Sequence, residues 1–422
     1  MPRSLEETRG ILKQHGVQRV RLGLLDIQGA KRGTTVSVDA FQHVAVHGMD
    51  AGAFGVPDAR VRVDLESLRR PPHDPGAAWF LCDLLSEDGT NHPACARSAV
   101  HRAAVRARDM GLTPQVALTL SFTAYREDRP TARAKGFCGL TPLHGGAATG
   151  SWLAASESGA FVAGLWEVLR GLEVAVDSLT AWEAPGAFTA TLRPLSPALA
   201  ADHAALFKLA AHEYAHLRGH SVTFMARPEE GTPRRHAAIH VSLWNQAGTE
   251  NLCVGEDHKP TPMAEAFYAG LLEYLGAAVT FLCPTVNSYA WSAAELDAPA
   301  LGFAMPARGD AISGAHGVRL AVGGPDMHPH LAVATALFLG LHGLDRKSEP
   351  PHGARERVST RRNLDVPNTW EDALGRLKLS TLARTLLGNG TVEAVLAAGR
   401  EELEATRRSV TQVELARLFE NT

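Results

Sequence analysis

At Ala96 the hydrophobic spacing of the chain changes period. Upstream, apolar residues come in short runs of strand length. Residues 18–37 read as strand, turn and strand, with Val20, Leu22, Leu24 and Ile27 around the polar turn "DIQGAKRG". A second run, "AAWFLCDLL" at 77–85, is followed by the turn-forming "SEDGTNHP". From Ala96 the segment "ARSAVHRAAVRARDMGL" has helical spacing. It sets Val100, Ala103, Val105 and Met110 on one side and the arginines on the other, with Gly111 as a C-cap. Further on, strand candidates such as "PQVALTLSFTAY", "AFTATLRPL" and "AAIHVSLWN" alternate with long helices near 155–172, 200–218, 261–282, 330–344 and 392–407. The pattern predicts an α+β chain with a small domain over 1–95 and a larger one over 96–422. The length of 422 residues accommodates both.

Composition narrows the partners. Lys plus Arg total 42 against 45 Asp plus Glu, a net charge of −3, and no basic block offers a nucleic-acid arm. Met1 to His15 carries charges and no apolar leader core, and no run reaches the roughly 18 apolar residues of a membrane span. A cytoplasmic location is expected. The five cysteines are scattered and odd in number, which argues for free thiols over disulfides or a thiolate zinc site.

Several segments, in order, resemble the glutamine synthetase family: "VRLGLLDIQGAKRG", "FLCDLLSEDG", "APG" at 184–186, "LFKLAAHEYAHLRGHSVTFMARP", "HVSLWNQAGTENL", "CPTVNSY" and "GLHGLDRKSEPP". The resemblance implies an N-terminal β-grasp domain and a large domain with a curved antiparallel sheet flanked by helices. It also implies ring-shaped oligomers and a role in nitrogen metabolism. The family transfers phosphate from ATP to a γ-carboxylate, then lets ammonia or an amine attack the acyl phosphate. Its divalent ions are held by carboxylates and an imidazole.

The matching positions are then informative. Thr119 and Ser121 stand where a Glu-x-Glu strand supplies two carboxylates. Trp182 takes the metal Glu position before Ala184-Pro185-Gly186, unless a one-residue gap brings in Glu183, and Thr189 takes the next Glu. Ala238 replaces the metal His, while His240 and Ser242 keep positions that contact the nucleotide in the family. Arg319 stands at a further metal Glu, and Ala290-Trp291 replaces a Lys-Arg pair. Asp297 matches a flap carboxylate, although an Asp before Ala-Pro is commonly a turn cap. Arg308 matches a γ-phosphate arginine only with an insertion.

Losing one catalytic electrostatic group typically costs ~100- to 1000-fold, so six losses point away from a two-metal mechanism. The favoured expectation is a pseudoenzyme with no Mg or Mn site and no firm ATP site. It would act as a binding, regulatory or structural subunit, as a homo-oligomer or beside an active relative. The ligand pocket would be lined by the ten residues Thr119, Ser121, Trp182, Glu183, Thr189, His240, Trp291, Asp297, Arg308 and Arg319. A first alternative is a repurposed metal- and ATP-independent enzyme with Asp297, His240 and Glu183 as catalytic candidates. A second is a divergent ATP-dependent amide or γ-glutamyl ligase.

Overall fold

The polar turn at 26–30 closes on its own side chain. Asp26 Oδ1 accepts from the backbone N–H groups of Gln28 (3.1 Å) and Ala30 (2.9 Å), and Gly29 takes φ +81°. The flanking strands β1 (Arg19–Leu25) and β2 (Lys31–Ser37) therefore pair antiparallel, the hairpin expected from the sequence. Helices α1 (Leu5–Gln14) and α2 (Val38–His47) flank it. Strands β3 (Met49–Asp50), β4 (Arg60–Val63) and β5 (Ala77–Leu85) complete a five-stranded sheet of order β2-β1-β5-β4-β3. Its parallel β1–β5 pair covers a core that includes Leu12, Leu22, Phe41, Phe54 and Phe80. This computed structural model describes residues 3–146, 151–182, 184–292, 295, 299–304, 316–350, 359–360 and 364–411.

Helix α3 (Ala96–Asp109) begins where the period changes, and Gly111 just beyond its end has φ +74°. Its buried stripe is Ala96, Ala99, Val100, Ala103 and Ala107, with Arg97 buried and Val105 47% exposed. The expectation that every arginine faces water and Val105 faces inward is thus corrected. Arg97 is drawn in by carboxylates: Nε and Nη2 donate to Asp202 (2.8 and 2.7 Å), Nη1 donates to Asp83 (3.2 Å), and Nη2 also meets Asp64. Three carboxylates compensate the charge of the buried guanidinium, which without partners would be strongly destabilising.

The larger sheet contains β6 (Leu112–Tyr125), β7 (Val176–Ala181), β8 (Ala187–Leu192), β9 (Ser221–Thr223), β10 (Ala237–Asn245), β11 (Pro299–Ala304), β12 (Gly317–Leu320) and β13 (Ser359–Thr360). The order is β13-β11-β12-β10-β6-β8-β7, with β9 on the end of β6. Alternation along β6 sends Val116, Leu118, Leu120 and Phe122 to the core, and β10 adds Ile239, Val241 and Leu243. The Phe122 ring lies 5.2 Å from Phe188, 5.8 Å from Phe207 and 5.7 Å from Phe224. Truncating such a ring costs ~3–5 kcal/mol, so Phe122→Ala would unsettle the whole sheet.

Short helices α4 (Arg129–Ala134) and α5 (Trp152–Glu157) precede α6 (Gly159–Gly171) and α7 (Pro197–Leu217). Helices α8 (Pro262–Tyr274) and α9 (Pro329–Arg346) follow, then α10 (Trp370–Leu379), α11 (Thr381–Leu387) and α12 (Asn389–Arg408). The helix expected over 261–282 stops at Tyr274 and continues as tight 3-10 turns at 275–277 and 279–281. Among the described residues no helix is long and apolar enough to cross a membrane. Cys82, Cys95, Cys253 and Cys283 are buried free thiols and Cys138 is exposed.

Candidate functional site

Period two fixes which residues share the other face of the large sheet. Thr119 is registered against Ala238 on β10 and Thr191 on β8, and Ser121 against Thr189. The Ser121 and Thr189 hydroxyls lie 3.0 Å apart, and Thr189 is registered in turn against Thr180 on β7. His240 is registered against Ala117 on one side and Arg319 on the other. Ser242 follows two residues later and is 1% exposed. Hydroxyls, an imidazole and a guanidinium therefore line one stretch of sheet, with alanines between them.

Neutral imidazoles are the consequence. Burial, and secondarily the Arg319 charge, pushes His240 down to about 4. His236, just ahead of β10, is likewise pushed down to about 4 by burial, with Arg319, Arg234 and Arg235 adding to the effect. Its ring lies edge-on to Trp182 at 5.5 Å, and its carbonyl accepts from the Ser121 N–H at 3.1 Å. Near neutral pH both rings are uncharged, and each serves as one donor and one acceptor.

The second tryptophan is also engaged. The Arg234 guanidinium sits 3.7 Å above the Trp291 ring and donates to the Ser288 carbonyl at 3.1 and 3.2 Å. Burial pushes the Arg234 guanidinium below its usual range. Arg235, 3% exposed, donates from Nε to the Thr123 hydroxyl at 3.0 Å. Glu295 accepts from Arg227 Nη2 at 2.8 Å and from the Ser292 N–H at 2.7 Å. The "NSY" and "GGPD" segments meet where the Thr285 and Ser288 hydroxyls reach Asp326 Oδ2. The adjacent arginine pair of "PRRHA" beside a strand is the available sequence signal for Arg234 and Arg235, whereas Glu295 carries none.

Among the expected site residues, Thr119, Ser121, Thr189, His240, Ser242 and Arg319 come together on this face. Trp182 and Trp291 are half-buried beside it. Glu183, Asp297 and Arg308 lie outside the described residues. His328 and His330, in the segment "DMHPH", belong to no group of metal-holding side chains among the described residues. His330 bonds Asp202 at 2.8 Å and lies edge-on to His328 at 5.5 Å, and His316 precedes β12.

A two-metal set does not fit the described residues. Hard divalent ions take several oxygen ligands, mostly carboxylate. Here the matching positions are two hydroxyls, an indole, another hydroxyl, a methyl and a guanidinium. Among the described residues no group of three or more His, Cys, Asp or Glu side chains could hold a metal ion.

Relatives correct the functional expectation. The chain is 28% identical to the gamma-glutamylethanolamide synthetase GlnA4 of Streptomyces coelicolor, over 99% of this chain and 96% of that protein. It is 24% identical to the glutamate–isopropylamine ligase of a Pseudomonas species, over 98% and 97%. Identity to the gamma-glutamylputrescine synthetase PuuA of Escherichia coli is 26%, over 99% and 95%. Apo GmaS superposes with a TM-score of 0.84 at 21% identity, covering 99% of both chains. A GmaS/ADP complex superposes with a TM-score of 0.80 at 21% identity, covering 97% of this chain and 98% of that one. The expectations of a pseudoenzyme and of no nucleotide or metal cofactor are overturned by these relatives, which are named as ligases and synthetases. The error lay in passing from missing ligands at matched positions to a lost reaction. The α+β architecture agrees with these structures, and the model of the glutamine synthetase catalytic domain matches residues 93–418. On that match, the chain belongs to the glutamine synthetase family.

Proposed function

We propose that this protein is a divergent ATP-dependent ligase that couples the side-chain carboxyl of glutamate, or of a close analogue, to an amine. The observation that carries the reading is similarity along nearly the full chain to three ligases whose names share a γ-glutamyl or glutamate donor and differ in the amine. In such chemistry the γ-phosphoryl of ATP moves to the carboxylate, and the amine then displaces phosphate to leave an amide. Divalent ions supply charge neutralisation in the family. The described residues do not supply a ligand set for them.

This chain's own groups bear on charge and orientation. Arg319 places a permanent cation on the polar sheet face, where it favours anionic oxygens of a phosphoryl or carboxyl group. The Ser121 and Thr189 hydroxyls can turn to donate to such oxygens. His240, neutral near pH 7, orients a ligand by hydrogen bonding without adding charge. Trp182 and Trp291 give the neighbourhood apolar surface suited to the carbon body of an amine rather than to bare ammonia. The ligase acts as a homo-oligomer in this reading, as its family does.

Incubation with ATP, magnesium or manganese, glutamate and a panel of amines tests it. The expected result is amine-dependent ADP release together with a γ-glutamyl amide detected by mass spectrometry. Absence of both across alkyl amines, amino alcohols and polyamines, with protein of native oligomeric state, would sink the proposal.

A further inference from the structure

Beyond the C-terminal end of β6, a cavity of about 680 Å³ opens between the β1–β2 hairpin, α4, α7 and β9. Its lining combines two chemistries. Arg21, Lys31 and Arg129 contribute cations, and His212, His216 and His220 contribute imidazoles. Glu213 is the acidic residue in the lining, and it is already engaged by Arg21 at 2.8 Å, with His73 at 3.6 Å. Lys31 and Arg129 make no ion pair among the described residues. Like charges gathered around a shared space without a counter-charge are costly unless an anion is supplied.

Their electrostatic strain is visible in the titrating groups. Lys31 is pushed down to about 8, first by the protein packed around it and then by Arg129. Its side chain nevertheless keeps accessible surface, because it faces the open cavity. His212 is pushed down to about 3 by burial, and then by Lys31, Lys208 and Arg129. A neutral His212 donates or accepts one hydrogen bond, and the Ser221 hydroxyl in the same wall makes none within the protein.

The same lining carries exposed apolar groups. Phe137 is 61% exposed and Met225 45% exposed, and Leu140 also lines the cavity. Phe137 holds φ +59°, a conformation uncommon for a bulky side chain and concentrated at ligand clamps. A volume of this size suits a small organic molecule rather than a bare ion.

We propose that this cavity is a binding site for a small organic phosphate, its phosphoryl dianion between Lys31 and Arg129 and its apolar body against Phe137 and Met225. Two neighbouring cations match a charge near −2 better than they match a single carboxylate. The assignment does not rest on the proposed ligase chemistry.

Phenyl phosphate is the probe, titrated into the full chain by calorimetry at low salt beside inorganic phosphate, phenol and benzoate. Saturable binding of one phenyl phosphate per chain is expected, tighter than any of the three comparison compounds. Lys31→Gln and Arg129→Gln each weaken it ~10-fold or more, the scale of a lost charge-assisted hydrogen bond. Lys31→Arg largely restores it. Phe137→Ala weakens phenyl phosphate while leaving inorganic phosphate unchanged. Both charged side chains are exposed, so these variants keep their fold, which thermal unfolding without ligand verifies. No saturable binding, binding indifferent to all of the substitutions, or benzoate binding as well as phenyl phosphate would each overturn the assignment.

Discussion

Arg97→Met removes the charge that links the two cores while keeping a comparable side-chain volume. Arg97 is 8% exposed, Asp202 5% and Asp83 7%, so the variant leaves carboxylates in a poorly solvated space. Removing one partner of a buried ion pair costs about 3–5 kcal/mol. Asp202 keeps His330 at 2.8 Å, which places the expectation near the lower bound, about 3 kcal/mol. At ~1 °C per kcal/mol for a chain of this size, the melting temperature falls by about 3 °C.

The pH dependence sharpens this test. Burial alone would raise the Asp202 carboxyl, but Arg97 and then His330 hold it well below the usual carboxylate range. A depressed folded-state value contributes stability that is present above the unfolded value and is lost as pH falls through the folded one. In the variant the same carboxyl is raised, so its penalty applies near neutrality and fades once the group protonates. The stability gap between wild type and variant is therefore widest near pH 7 and narrows toward about pH 4. Differential scanning calorimetry at both values reads it. A loss below about 1 °C near pH 7, or a gap that does not change with pH, refutes the reasoning.

Three further outcomes are expected. Burial pushes Lys208 down to about 7, so between that value and its ordinary one the unfolded chain binds more protons and stability rises with pH; the stability of Lys208→Met relative to wild type should fall over that range, read by denaturant titration at several pH values. Ellman's reagent should label one thiol per native chain, Cys138, and the remaining four only after denaturation, and rapid labelling of two or more would contradict the burial described here. In Gly186→Ala, φ +65° and a Cβ 2.6 Å from the Ala124 carbonyl oxygen predict a loss of at least about 2 kcal/mol, measured by chemical unfolding.

Local patterning carried much of the fold. "AAWFLCDLL" is legible as β5 because nine residues between turn formers leave room for little else, and the 26–30 turn because Asp26 caps it within four residues. The face of α3 misled, because a sequence displays Arg97 as a surface residue while its partners Asp83 and Asp202 lie 14 and 105 positions away. Thr119, Ser121, Thr189, His240 and Arg319 were named through the resemblance to the family's motifs, and a period of two accounts for their sharing one face once the register is known. Arg234, Arg235 and Glu295 were not, because they reach the neighbourhood from loops whose course depends on distant contacts. The functional reading failed for a related reason: matched positions report which side chains were replaced, and charge supplied from elsewhere in space leaves no mark at those positions.

The Arg97 cluster also orders events during synthesis. The β1–β5 pairing needs only residues up to Leu85, and Asp64 and Asp83 precede Arg97, so the small sheet and two of its counter-charges exist as soon as α3 emerges from the ribosome. Asp202 follows 105 residues later, which at ~5–20 residues per second is an interval of roughly 5–20 s. His330, 128 residues further on, completes the cluster later still. Nascent chains arrested with Asp202 still inside the exit tunnel should therefore carry a protease-resistant N-terminal sheet, its guanidinium held by two of its three carboxylates. Equal protease sensitivity of that region before and after Asp202 emerges would mean that the sheet waits for the whole cluster.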